Sequence, residues 1–410
     1  MKFSFLHAAD LHLGSPLIGL AAKDEDIARQ FAAASRQAFS DLVAYAIEQH
    51  IAFVVIAGDI YDGEWKDSSI GLFFNRELSR LHRAGIEVVI LKGNHDAASV
   101  VTKTITLPES VYVFPTNKAS TFRLDDYRVA LHGRSFPNRE VNENYVEAYP
   151  EPVAGWFNIG VLHTSCDGRP PHARYAPCSL DDMRRHGYDY WALGHVHAHE
   201  ILCDEPKIVF AGNLQGRSIR ECGPKGAVRV DVEDQAIKTV THIPFDQARF
   251  GKLTLDLGSV EEEADLLRLV ETNLAPFVNE AGKRLLALRV ECIGETSLHR
   301  ALKADAQRLS DEVQAAAHRV SENVWLEKLA IATREPASMT GMTAPSDLDL
   351  AGLFAACEKD PVLREDVEQL IKDVSRKLPR GCSDQGETLM AEIDALIEDA
   401  RASTLGRVLR

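Results

Sequence analysis

The first 245 residues alternate short apolar runs with segments of helical or loop character. The pattern predicts strands at 3–9, 52–57, 87–91, 128–131, 157–162, 191–193 and 207–210. Several are apolar at every position, as in Ala52-Phe53-Val54-Val55-Ile56-Ala57. Strands of that kind are covered on both faces, as in α/β sheets. Between them, residues 25–49 place Ile27, Phe31, Ala34, Ala38, Leu42 and Ala46 on one helical stripe, and residues 70–84 predict a second helix. Short strands with intervening helices predict a layered α/β sandwich.

The texture changes near Pro244. Alternating strands are expected at 252–257, 285–292 and 324–332, with helices at 261–274 and 298–320. The first of these helices opens on an acidic turn, which suits its dipole. Residues 335–345 read as a linker, and helices are expected at 348–378 and 387–409. The expected division is an α/β domain over 1–245, a small α+β domain over 246–333 and a helical tail over 334–410.

Charge narrows the function classes. The 410 residues carry a net charge of −15, with a pI near 5.5. A broad basic surface is therefore not the main hold on any nucleic acid. An enzyme that meets phosphates through bound metal ions and a few arginines stays compatible. No apolar stretch approaches the ~20 residues of a membrane span, and Asp10 interrupts the amino-terminal apolar run, so neither a membrane segment nor a signal peptide is expected. Seven scattered cysteines without a CxxC pair predict a reduced, cytoplasmic protein with no zinc ribbon.

Five polar motifs follow five of the apolar runs: Asp10-Leu11-His12, Gly58-Asp59-Ile60-Tyr61-Asp62, Gly93-Asn94-His95-Asp96, His163, and Gly194-His195-Val196-His197. In open α/β sheets, sites form at the carboxyl ends of strands, so these distant segments can converge. Residues i and i+2 of an extended chain share a side, which lets Asp10 act with His12 and His195 with His197. Two aspartates, one asparagine and four histidines suit manganese, iron or zinc better than magnesium, and seven ligands suit two ions better than one. A lone histidine such as His50, His82 or His318 is ordinarily structural or solvated; the ordered set of five motifs is what carries weight.

That order, DxH, GDxxD, GNHD, H and GHxH, resembles the signature of the calcineurin-like metallophosphoesterases. The segments Gly58-Asp-Ile-Tyr-Asp-Gly and Gly212-Asn-Leu-Gln-Gly-Arg-Ser-Ile-Arg-Glu resemble SbcD-type DNA-repair exonucleases, most of all their YhaO-type bacterial branch. The resemblance implies that Asp10, His12, Asp59 and His197 hold one divalent ion and that Asp59, Asn94, His163 and His195 hold another, with Asp59 bridging. Manganese is the expected metal, with iron, zinc or magnesium as alternatives. It also implies hydrolysis of a DNA phosphodiester by hydroxide formed between the ions, with His95 contacting the phosphate and assisting the leaving oxygen. Asp96 or Asp62 is expected to orient His95 or a ligand. Arg217, Arg220 and Arg134 are candidate phosphate contacts, with Lys225 and Arg229 beyond them, and Tyr61 and Trp65 could stack on a base.

The same resemblance makes 246–333 a capping domain that selects DNA, with Lys283, Arg284, Arg289, Arg300, Lys303 and Arg308 as a candidate basic strip. It makes the tail a docking segment for an SMC-like ATPase, with Leu389, Ile393, Leu396 and Ile397 on one face, and the two amino-proximal helices a homodimer contact. The chain has no phosphate loop of its own for ATP. Two rivals stand beside the nuclease: a small-molecule phosphodiesterase or phosphatase on the same scaffold, and a non-catalytic scaffold subunit.

Overall fold

The computed structural model describes residues 1–15, 25–62, 68–98, 106–166, 175–336 and 360–377, with scattered helical positions at 352–353, 356–357 and between 390 and 404. Met1–Gly251 together with Ala281–Ala287 form one compact unit; Lys252–Glu280 and the chain from Leu288 onward form a second.

The first unit runs β1 (Lys2–Ala8), α1 (Glu25–Glu48), β2 (Phe53–Ala57), α2 (Ser68–Arg83), β3 (Glu87–Leu91), α3 (Asn94–Ala98), β4 (Val111–Val113), β5 (Ser120–Leu124), β6 (Val129–Gly133), β7 (Phe157–His163), α4 (Leu180–His186), β8 (Tyr190–Gly194), β9 (Glu200–Asp204), β10 (Lys207–Phe210), β11 (Gly226–Glu233) and β12 (Ala236–Pro244). The strands build two six-stranded sheets, ordered β12-β11-β1-β2-β3-β4 and β5-β6-β7-β8-β10-β9. β1, β2 and β3 are parallel, as are β6, β7, β8 and β10. The expected layered α/β sandwich is therefore present.

Strand alternation sorts the core. Phe5, Phe53, Val55 and Val89 meet Phe157, Ile159, Val161 and Tyr190 between the sheets. Leu6, Val54, Ile56, Val88 and Ile90 turn the other way, onto Phe39, Leu42 and Val43 of α1 and Phe74 and Leu78 of α2. Trp191, Leu193 and Leu162 pack on Met183 of α4 and on Tyr145 and Tyr149. The all-apolar strands are buried on both faces for this reason.

Several strands were not among those expected. The hairpin β11–β12 is the largest, turning on Asp234 and Gln235, both at positive φ (50° and 63°). A two-residue turn of that kind matches the twist of its strands without any glycine to announce it. Short β4, β5 and β9 are largely half-buried or exposed, and β4 is only three residues long.

A three-stranded sheet follows, β13 (Ala248–Asp256), β14 (Leu285–Ile293) and β15 (Val324–Ile331), with α5 (Glu263–Ala281), α6 (His299–Ala304) and α7 (Ala306–Val320). The helix expected over 298–320 is two helices. Asp305 interrupts it and caps α7, its carboxylate accepting the Arg308 N–H (3.3 Å). In the tail, α8 (Pro361–Lys377) is described, and Arg364 pairs with Asp394 at 2.6 Å. Ile393 is buried and Leu396 exposed, whereas Leu389 lies outside the described residues. Among the described residues no helix is long and apolar enough to cross a membrane.

Candidate metal centre

The loops after β1, β2, β3, β7 and β8 are tied together by their own backbones. Asp10, His12 and Leu13 donate their N–H groups to the carbonyls of Gly58, Asp59 and Ile60 (2.9, 3.0 and 2.8 Å). The His95 N–H reaches Asp59 Oδ1 at 3.0 Å, and the His195 N–H reaches both Asp10 oxygens at 3.1 and 2.9 Å. Four of the expected ligands, Asp10, His12, Asp59 and His195, sit at positive φ (49°, 42°, 53° and 101°) without being glycine. Each such residue costs on the order of 1 kcal/mol or more and persists only where its surroundings hold it. Glycine is required where the loops nearly touch. A Cβ on Gly93 would lie 2.3 Å from Asp59 Oδ1, and one on Gly194 would lie 2.0 Å from the Ala57 carbonyl.

Two donor clusters result, each with its ligand atoms within 4.8 Å of one another: Asp10, His12 and His197, and Asp59, His163 and His195. Asn94 Oδ1 adds to the second, 2.9 Å from His163 Nε2, which also stands 3.4 Å from Asp59 Oδ2. Distal ring nitrogens are anchored. His163 Nδ1 donates to the Ala57 carbonyl (2.9 Å), which turns Nε2 toward Asp59 and Asn94. His197 Nδ1 is 2.7 Å from Glu221 Oε1, which turns its Nε2 inward, 3.1 Å from His12 Nε2. Two imidazole nitrogens so close, beside a buried His12 Nδ1 that has no hydrogen-bond partner among the described residues, leave donor atoms unmatched. Mixed nitrogen and oxygen donors of this set fit divalent transition metals, and anchored far nitrogens are what metal-bound histidines show.

Electrostatics follow from burial and proximity. Burial opposes charge on Asp59, but the His163 charge and hydrogen bond outweigh it and hold the carboxyl well below the usual range. The reverse pairing lifts His163 to about 9 against its own burial. Burial dominates at Asp10 and pushes it up; at His12 burial, then the Arg217 charge, push down.

Asp62 and Asp96 make different contacts. Asp62 Oδ1 lies 3.3 Å from His95 Nδ1 and its Oδ2 accepts from Ser15 Oγ (2.8 Å). Burial disfavours the charged ring of His95, but this Asp62 contact outweighs it and raises the pKa. Asp96 is buried beneath, accepting the backbone N–H groups of Gly93, Ile60 and Tyr61 (3.0, 2.9 and 3.1 Å). It clips the β2 and β3 loops together; burial, then the Asp59 charge, lift it to about 7. His12, Asp62 and His95 also form a third close cluster.

The candidate phosphate contacts are placed less openly. Both terminal nitrogens of Arg217 face acids, Glu221 Oε1 at 3.2 Å and Asp62 Oδ2 at 3.7 Å. Arg134 lies over the Tyr145 ring (4.2 Å) and donates to the Thr116 carbonyl (3.2 Å). Lys225 is buried against the His197 carbonyl (2.8 Å), and Arg229 serves Asp231 and Tyr45. Arg220 is exposed. Tyr61 is a core residue packed edge-on to Phe74 at 5.8 Å, and Trp65 lies outside the described residues. In the second unit, Arg289 forks onto Glu327, Arg300 meets Glu335, and Arg308 meets Glu263 and Glu312. In the first, Arg284 donates to the Asp246 carbonyl. Glu221 was missed as a site residue; it ends the segment that begins at Gly212, and nothing in its spacing points to His197.

Comparison with known proteins is consistent with this geometry. Residues 3–199 match the calcineurin-like phosphoesterase family, and residues 250–334 match the middle domain of the metallophosphoesterase YhaO. The chain is 27% identical over 387 residues to YhaO of Bacillus subtilis, covering 92% of this chain and 95% of that protein. It is 27% identical over 379 residues to the SbcD component of the nuclease SbcCD of Escherichia coli, covering 80% and 92%. It is 24% identical over 285 residues to the DNA double-strand break repair protein Mre11 of Sulfurisphaera tokodaii, covering 65% and 69%. The chain carries a calcineurin-like metallophosphoesterase domain over 3–199 and a YhaO-type middle domain over 250–334, and it is a homologue of YhaO and of the Mre11 and SbcD proteins.

Proposed function

We propose that this phosphoesterase hydrolyses DNA phosphodiesters from chain ends with two divalent cations, Mn2+ foremost. The observation that carries the reading is the meeting of two donor clusters, Asp10–His12–His197 and Asp59–His163–His195, beside a histidine that is not part of either. Asp10, His12, Asp59 and His197 would hold one cation; Asp59, Asn94, His163 and His195 would hold the other. When bound, two such cations supply a nucleophile from water near neutral pH and offset charge on the phosphate. His95 is then the proton donor to the leaving oxygen. Its Nδ1 is tied to Asp62, which leaves Nε2 on the Asp59 side of the ring, 3.9 Å from Oδ2. Asp62 holds that ring, and Asp96 keeps the two loops that present Asp59 and His95 in register.

DNA as substrate rests on the Mre11 and SbcD relatives. Arg220 is the candidate arginine most exposed to a backbone phosphate, with Arg134 and Arg217 held by neighbours. The reading keeps the expected division of labour: 1–245 for catalysis, 246–333 for DNA selection and the tail for docking an SMC-like ATPase in the cytoplasm. An exposed Leu72 on α2 supports a homodimer contact through α1 and α2.

The test is metal analysis with digestion of end-labelled DNA, run beside bis-p-nitrophenyl phosphate and cyclic nucleotides. His95→Ala should keep both cations and lose about 10²–10⁴-fold in turnover. Cleavage of small diesters with intact DNA would establish the small-molecule reading instead. A metal-loaded protein that cleaves neither would be a scaffold.

A further inference from the structure

We propose that Glu221 is a positioning residue for His197, and that Arg217 extends its hold to Asp62 and His95. The inference rests on the metal-centre reading above and deepens it. Glu221 lies in the loop between β10 and β11, and each of its oxygens is committed. Oε1 faces His197 Nδ1 at 2.7 Å and Arg217 Nη2 at 3.2 Å; Oε2 accepts the Arg217 N–H and Asn213 Nδ2, both at 2.8 Å.

A carboxylate at 2.7 Å puts the His197 proton on Nδ1, so Nε2 carries the lone pair that faces His12 and Asp10. The backbone of His197 is fixed as well, its carbonyl accepting Lys225 Nζ at 2.8 Å. Ring tautomer and ring direction are thus set from outside the ligand set, as carboxylate partners do for metal-bound histidines. From Glu221 the contacts continue. Arg217 Nη1 stands 3.7 Å from Asp62 Oδ2, and Asp62 Oδ1 stands 3.3 Å from His95 Nδ1. One chain, Glu221–Arg217–Asp62, therefore sets a cation ligand at one end and the proton donor at the other. Arg217 acts as its strut; a phosphate could claim its guanidinium only by displacing two carboxylates.

The experiment uses the full-length chain stripped of metal, with Mn2+ titrated by calorimetry. Wild type should take up two ions. Glu221→Ala should weaken one of the two sites by about 10–100-fold and leave the other unchanged. Glu221→Gln should recover most of that loss, since its carbonyl still accepts the Nδ1–H. The metal-free melting temperature of both variants should stay near wild type. Two wild-type affinities in Glu221→Ala would overturn the role of Glu221 alone. So would equal weakening at both sites with a lowered metal-free melting temperature, the mark of a general structural role. A wild-type chain that takes up no Mn2+ would overturn the metal-centre reading, and this role with it. For the strut, Arg217→Met should lower kcat on bis-p-nitrophenyl phosphate by about tenfold or more, with KM nearly unchanged. A raised KM at unchanged kcat would make Arg217 a substrate contact and overturn the strut.

Discussion

The two units handle charge in opposite ways. Around the strand ends of the first, Asp10, His12, Asp59 and His163 are almost completely buried, and their donor atoms converge without being fully matched. Along the helices of the second, acids and arginines stay near the surface and pair with each other, as in Arg308 with Glu263 and Glu312, or Arg319 with Glu271. Burying charge costs several kcal/mol per ion unless something compensates it, whereas an exposed pair contributes ~0–1 kcal/mol. Unmatched buried charge therefore marks where a cation belongs. Matched surface charge marks scaffold, and it leaves little of the second unit's arginine strip free for phosphates.

The sharpest way to break this contrast is Asp59→Asn. The substitution keeps the shape of the one carboxylate assigned to both cations and removes its charge. Turnover of any diester should fall by at least about 100-fold, and Mn2+ uptake should drop below two ions per chain. Wild-type stoichiometry and rate in this variant would mean that the buried acids of the first unit are structural, like those of the second.

A smaller effect separates the units by pH. His7 and His132 are fully buried in the first unit, away from the ligands, and burial pushes them down to about 3 and about 4. Both are neutral when folded, while the unfolded chain takes up protons below about 6.5. Their contribution is therefore intact above pH 6.5 and is lost as pH falls from there through 4 toward 3. At its limit the loss is roughly 3 kcal/mol for His132. Urea midpoints of the metal-free chain should decline across that window. Hydrogen exchange should show β6 and β7 losing protection before α7. A flat midpoint between pH 7 and pH 4.5 would contradict it.

Much of this was legible in the sequence, and the reasons are physical. Strands apolar on both faces announced β2 and β8, because a strand covered on both sides has no polar period to confuse it. The ligand motifs were legible because each follows such a strand within a few residues. Legibility ended where identity depends on a partner far along the chain. Asp62 and Asp96 look equivalent in sequence, yet one holds a ring and the other three backbone N–H groups. Arg217 reads as a free cation until Glu221 and Asp62 are seen around it. The backbone of Asp10, His12 and Asp59 at positive φ is likewise invisible, since none is glycine.

Arg308→Ala is the mildest change and closes the contrast from the other side. Arg308 gathers three acids, Glu263 at 2.8 Å, Glu312 at 2.7 Å and Asp305 at 3.6 Å, so its removal looks severe by distance alone. Two of the three acids have another reason to be where they are. Glu263 stands in the first turn of α5, where the helix dipole favours a negative charge, and Asp305 caps α7 through the Arg308 N–H, which alanine keeps. All four side chains are partly solvated, so water replaces the guanidinium. The variant should lose about 1 kcal/mol or less, and the difference from wild type should shrink further in high salt, where such pairs are screened. Mn2+ uptake and diester turnover should not change. A larger, salt-insensitive loss would show that the second unit also depends on desolvated charge, and the distinction between a functional cluster and a paired surface would no longer separate the two.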